Sequence, residues 1–154
     1  MRRSTDPVAA MFAVAALAAL ACSGVAHAGC TVWATPIPVG DYDASVAEAV
    51  IMSADIEVRC DESGVNFNLA FGPSAVSGSV VDRRMRHGFR ADTLRYNLYH
   101  DSHAMRLWGD SDATMSSGTA VHGLTLVQVF ARIDPGQDVW VGEYSDEVVL
   151  TVLP

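Results

Sequence analysis

The sequence predicts an all-β sandwich, and three observations carry that prediction. Short runs of alternating apolar and polar residues recur from residue 51 onward, the period of half-buried strands. Turn chemistry separates the runs, in Asp61-Glu62-Ser63-Gly64, His100-Asp101-Ser102, Gly109-Asp110-Ser111-Asp112 and Asp134-Pro135-Gly136-Gln137. No heptad, internal repeat or low-complexity segment competes with this pattern, and 154 residues is a one-domain length.

The N-terminus stands apart from that domain. Arg2 and Arg3 precede an apolar, Ala-rich run from Val8 to Cys22, and Ala26-His27-Ala28 has the small-x-small form of a signal-peptidase site. Those regions in that order describe a secretory signal peptide over residues 1–28, cleaved after Ala28, with the domain occupying 29–154. A membrane anchor is the weaker reading, because the run is short and Ala contributes little to insertion. Acylation at Cys22 would need a better match than Ala19-Leu20-Ala21 before it.

Cleavage removes Arg2, Arg3 and Asp6, which takes the formal net charge from −8 to −9. All ten basic residues are Arg. Such an acidic chain has no electrostatic case for nucleic acid. Cys30 and Cys60 remain as a lone pair in an exported chain, most simply a structural disulfide. A metal site would need more ligands nearby, and a redox pair is normally CxxC. Closing a loop of about 31 residues is worth roughly 3.5–4 kcal/mol on the chain-entropy account.

Cys30 to Thr35 reads as a first strand, ended by Pro36 and Pro38, with a turn at Val39 to Asp43. Ala44 to Met52 is a loop leading into a strand, Ile51 to Cys60, that places Ala54, Ile56, Val58 and Cys60 inward, so that Cys60 meets Cys30 across the core. Val65, Phe67, Leu69 and Phe71 line one face of the next strand. Residues 72–88 are expected to be the least structured stretch, with Arg84-Met85 packing and the other arginines in solvent, paired with surplus carboxylates. The stretch 92–110 organises the chain. In it Leu94, Tyr96 and Leu98 alternate with Arg95, Asn97 and Tyr99, and a short second strand follows over Met105 to Trp108. Residues 113–123 are a Ser/Thr/Gly-rich connection. Leu124 to Ile133 is apolar on both faces and therefore central, Val139 and Val141 start a further segment, and a last strand ends the chain.

Motifs for chemistry are weak. His100, Asp101, Ser102 and His103 are adjacent in sequence, whereas a hydrolytic triad is assembled by the fold. His100, His103 and His122 with Asp110 or Asp112 match no metal-ligand spacing. Trp33, Trp108 and Trp140 form a possible sugar-binding platform, although tryptophans in a small sandwich are more often core. The reading is therefore no enzyme, no cofactor and no small-molecule substrate, with a secreted carbohydrate-binding module as the alternative.

Tyr96-Asn97-Leu98-Tyr99, Asp101 and Trp108-Gly109-Asp110 resemble the central signature of the spore coat protein U domain family, which includes subunits of archaic chaperone–usher pili. Its opening Cys-x-Val strand and Gly-x-Tyr-Asp turn are matched at Cys30 and Gly40, with Val39 where an aromatic is usual. The spacing of Cys30 and Cys60 and the pair Arg84-Met85 are also similar. Phe130, Arg132, Ile133, Gly136 and Gln137 resemble its second corner, with Ala131 for Gly and the proline one place later. Gly142, Tyr144 and Asp146 resemble the opening of its last strand.

The resemblance implies an immunoglobulin-like antiparallel sandwich lacking its final strand, with Val148, Leu150 and Val152 flooring an acceptor groove. It implies a pilus or coat subunit assembled by donor-strand complementation. Its partners would be a periplasmic chaperone, an outer-membrane usher and neighbouring subunits. The protein would pass through the Sec pathway and the periplasm to a cell-surface or extracellular fibre. With only Gly29 before Cys30 after cleavage, the subunit is expected to accept a strand without donating one. Pro154 stands where the family usually ends in an aromatic and cannot donate to a ladder.

Overall fold

The computed structural model describes residues 29–121 and 123–153; the expected signal peptide, His122 and Pro154 lie outside them. Nine strands and no helix occur among the described residues: β1 (Cys30–Ala34), β2 (Val50–Cys60), β3 (Asn66–Ser74), β4 (Arg83–His87), β5 (Thr93–Tyr99), β6 (Ser116–Thr119), β7 (Thr125–Ile133), β8 (Tyr144–Ser145) and β9 (Val148–Leu153). A six-stranded sheet runs β1-β2-β7-β5-β4-β8, and a three-stranded sheet runs β6-β3-β9. Every pairing is antiparallel.

The alternation seen in the sequence becomes the core. Ile56 and Val58 of β2, Phe67, Leu69 and Phe71 of β3, Leu98 of β5, and Val129 and Ala131 of β7 close on one another with Trp108. A smaller cluster of Met85, Leu94 and Ile133 sits beside it, packed by Val139 and Tyr144. These side chains supply most of the burial energy, about 25 cal/mol for each Å2 of apolar surface withdrawn from water.

Several elements differ from expectation. Cys30 and Cys60 are bonded, but as directly opposed residues of neighbouring strands in one sheet, not across the core. Residues 72–88 are ordered by pairing: β3 continues through a bulge to Ser74, and β4 pairs both β5 and β8. Within β4, Met85 is buried as expected, whereas Arg84 is half-exposed and Arg83 is the arginine that enters the interior, at 0 % exposure. Asn97, expected on the wet face of its strand, is also buried, because it faces Arg83. Met105 to Trp108 forms no strand. Leu107 makes a single bridge to Tyr99, while Met105 lies in solvent. Ser116 to Thr119 does pair, as β6 against β3, because Gly118 lets the Phe67 ring lie on its backbone. β7 is central as expected, but Leu126 on its outer face and Leu124 just before it remain exposed, so that face is uncovered. Val141 is exposed in a connection and starts no strand.

Candidate strand-acceptor edge and its supports

β9 alternates along its length. Val148, Leu150 and Val152 turn toward the core, and Val149, Thr151 and Leu153 face solvent. One edge of β9 pairs β3, from Asn68↔Leu153 to Ser74↔Val148. Its other edge has no strand partner among the described residues. β1, at the end of the larger sheet, likewise has one free edge, and its Cα atoms come within 8 Å of those of β9. The two edges thus approach each other along a seam between the sheets.

Burial marks the seam as incomplete. Phe67 and Leu69, inward on β3, are 1 % and 0 % exposed. Val148, Leu150 and Val152 on β9 and Val32 and Ala34 on β1 are only partly buried, although they pack against the same core. A row of apolar side chains beside unpaired N–H and C=O groups is a site for strand addition.

A polar network fixes where β9 begins. The Arg83 guanidinium donates through Nε to the Gly72 carbonyl (3.2 Å) and through Nη1 to Asn97 Oδ1 (2.7 Å) and the Trp108 carbonyl (3.0 Å). Through Nη2 it donates to the carbonyls of Phe71 and Gly72 (2.8 Å each). All five donors of the cation are occupied. Burial lowers the Arg83 pKa from its ordinary value, opposed by electrostatic attraction to Tyr96, Asp110 and Asp146, and the group remains a cation. Its acceptors Phe71 and Gly72 lie where the β3 bulge begins: Phe71 still pairs with Leu150, and pairing resumes at Ser74 with Val148. Asp146, two residues before β9, accepts the Tyr96 hydroxyl (2.7 Å) and the Val76 N–H (3.2 Å). Burial and the carboxylate beside it push the Tyr96 phenol pKa well above its ordinary value.

The other signature residues build supports. Trp108 is fully buried; its indole N–H donates to the Leu69 carbonyl (2.9 Å), its edge meets Phe71, and His100 stacks on it at 4.5 Å. Gly109 accommodates a close approach, since a Cβ there would lie 2.7 Å from both Thr114 and Val80. Asp101 holds its loop by accepting the N–H groups of His103, Met105 and Arg106. Its partial desolvation opposes ionisation, but those three donors outweigh it and hold the carboxyl below its ordinary pKa. Gln137 bonds both backbone groups of Arg95, Arg132 pairs with Asp134, and Gly142 leaves room for the His87 ring that stacks edge-on against Tyr144. Asp110 is exposed. Leu98 is core, and Tyr99 lies half-buried opposite Phe130.

Tyr96 and Asp146 are therefore brought together, as are Asn97 and Trp108, through an arginine that the sequence reading assigned to solvent. The signal was present: Arg83, Met85 and His87 alternate with Arg84 and Arg86, and Met85 marks the inward face.

The catalytic and metal alternatives find no assembled site among the described residues. His100 is engaged with Trp108 and the Thr114 carbonyl, and Asp101 with backbone N–H groups, so neither is directed at Ser102. No group of three or more His, Cys, Asp or Glu is placed to hold a metal. The three tryptophans share no platform. Trp108 is interior, while Trp33 belongs to β1 and Trp140 lies beside Tyr144 near β8, at opposite edges of the large sheet.

Comparison with known proteins agrees with this architecture. The chain is 31 % identical over 125 residues to Protein U of Myxococcus xanthus, spanning 73 % of this chain and 68 % of that protein. Among solved structures it matches a chain of the CsuC–CsuE chaperone–tip adhesion subunit pre-assembly complex from the archaic chaperone-usher Csu pili of Acinetobacter baumannii. That match has a TM-score of 0.54 and 21 % identity, and covers 80 % of this chain but only 39 % of that one. The fold is thus the immunoglobulin-like sandwich of pilus subunits. The profile of the Spore Coat Protein U domain matches residues 16–151, and the chain belongs to that family.

Proposed function

We propose that this protein is an exported, non-catalytic structural subunit of a chaperone–usher type fibre or surface coat, assembled by strand addition at the β9 edge. The observation that carries the reading is the partly buried row Val148, Leu150 and Val152 on a strand edge that has no partner among the described residues and faces β1. A chaperone strand, and then a strand from a neighbouring subunit delivered at an outer-membrane usher, would pair with that edge and seat alternate apolar residues in the seam. The matched structure comes from a chaperone–tip subunit complex of such pili, which supports the same partners here. Residues 1–28 serve as the signal peptide, and the route runs through the periplasm to the cell surface. Cleavage after Ala28 leaves Gly29 ahead of β1, so the subunit accepts a strand without donating one.

The test is denaturant unfolding of the oxidised exported protein, alone and with a periplasmic chaperone or a peptide of alternating hydrophobic residues. A raised midpoint that depends on peptide concentration is expected. A reversible, highly stable monomer that ignores every added strand would refute the reading. N-terminal sequencing of the exported protein separately checks cleavage after Ala28.

A further inference from the structure

The outer face of the large sheet carries a second feature that strand addition does not use. On β1, inward Val32 and Ala34 alternate with outward Thr31 and Trp33, so Trp33 points away from the β1–β9 seam. Its indole is 69 % exposed, held out on a regular strand whose neighbour is tied to it by the Cys30–Cys60 bond. Directly opposite on β2 stand Glu57, paired with Trp33, and Arg59, paired with Thr31. The Arg59 guanidinium meets the Glu57 carboxylate at 3.2 Å through one nitrogen and one oxygen, with the Arg59 side chain largely and the Glu57 side chain partly open to water. Their remaining donors and acceptor project beside the indole. Thr31, Trp33, Glu57 and Arg59 line a shallow depression of about 390 Å3.

A second depression borders the next strand over. Glu57 pairs across the next ladder with Leu126 of β7, which is 58 % exposed. Leu126 lines a second, more polar depression of about 580 Å3 with Gln128, Ser117, His100 and Arg106. Trp33, Glu57 and Leu126 thus occupy one row across three strands, spanning about 10 Å at the usual strand spacing.

We propose that this row binds a neutral, flat oligosaccharide, with a pyranose ring laid on Trp33 and its hydroxyls hydrogen-bonded to the Glu57–Arg59 pair. An exposed indole gives a broad, rigid apolar face at little entropic cost. A carboxylate and a guanidinium side by side offer an acceptor and donors to vicinal hydroxyls. Paired Glu57 and Arg59 cancel each other's charge, which favours a neutral sugar over a charged one. An open sheet face, unlike a closed cleft, suits an extended β-1,4-linked chain that continues over Leu126 toward Gln128 and Ser117.

The test uses protein exported from the full chain and recovered from the periplasm, titrated with cellohexaose and xylohexaose while tryptophan emission and calorimetric heat are followed. Saturable binding to at least one of them is expected. Trp33→Ala should weaken it at least tenfold and Glu57→Gln several-fold, both with an unchanged unfolding midpoint and an unchanged response to a donor peptide. Trp140→Ala should leave binding as in the parent. The proposal is overturned if neither oligosaccharide binds, if Trp33→Ala binds like the parent, or if Trp33 emission follows protein dilution instead of added sugar, which would make the face a contact between copies. None of these outcomes bears on strand addition at the β9 edge, toward which Val32 and Ala34, and not Trp33, turn.

Discussion

Replacing Arg83 with Met removes the cation at the centre of the polar network while keeping much of its volume. Three interior carbonyls, of Phe71, Gly72 and Trp108, then lose their side-chain donor, and Asn97 Oδ1 keeps only the Leu98 N–H. An interior acceptor left without a partner costs about 1–3 kcal/mol. Against that stands the recovered desolvation of a buried charge, itself several kcal/mol. Because the acceptors cannot be replaced by apolar groups, the loss dominates, and a net destabilisation of about 1–3 kcal/mol, the cost of at least one stranded acceptor, is expected. The assay is urea unfolding of parent, Arg83→Met and Arg83→Lys, each complemented by a donor peptide so that the comparison starts from a closed sandwich. The lysine variant should fall between the other two, having three donors in place of five. A double-mutant cycle with Asn97→Ala should show coupling of about 1 kcal/mol or more. Affinity for the peptide should also drop in Arg83→Met, since the β3 bulge held by Arg83 sets where β9 starts to pair. An Arg83→Met protein as stable as the parent would show that the carbonyls find water or relax, and that the network does not hold the bulge.

Three other outcomes follow from the same structure. The folded Tyr96 phenol titrates above its ordinary value, so its contribution is fully present below the unfolded pKa of roughly 10 and declines as pH rises beyond it. Alkaline unfolding curves should show that decline in the parent and a flatter profile in Tyr96→Phe, which also loses about 1 kcal/mol with the hydroxyl's bond to Asp146, whose other oxygen keeps the Val76 N–H. Asp101 titrates below its ordinary value, so the order it gives its loop is present above the unfolded carboxyl pKa of roughly 3.9 and lost as pH falls through the folded one. Amide exchange at His103, Met105 and Arg106 should accelerate over that acid range, and in Asp101→Ala at every pH. Reducing Cys30–Cys60, or replacing both with Ser, should cost roughly 3.5–4 kcal/mol by the loop-closure account, and Cys30 should be the end that frays, because among the described residues β1 has only β2 as a strand partner. Urea midpoints with and without reductant measure this, and an unchanged midpoint would refute it.

Much of the fold was legible because its signals are local. The alternation over residues 54–60, 65–71 and 148–153 and the turn residues between those runs act within a few residues of chain, and each became a strand or a turn where expected. The two cysteines were legible for a different reason: an exported chain offers a lone pair few other uses. Residues 72–88 and 113–123 misled because Ser, Gly and Arg carry little strand propensity, and pairing with β5 and β3 overrode it.

By itself, then, the sequence determined an all-β sandwich with an apolar last strand and a cysteine pair near its start. Which arginine enters the core, which tryptophan is interior and which strand edge stays open were decided only by tertiary structure. Each depends on a neighbour distant in the chain: Arg83 on carbonyls at 71, 72 and 108, Trp108 on Leu69 and Phe71, and the open edge of β9 on where β1 comes to lie. A side chain's own chemistry makes burial costly or favourable, but the groups that compensate a buried cation or leave an edge unpaired are supplied by the fold.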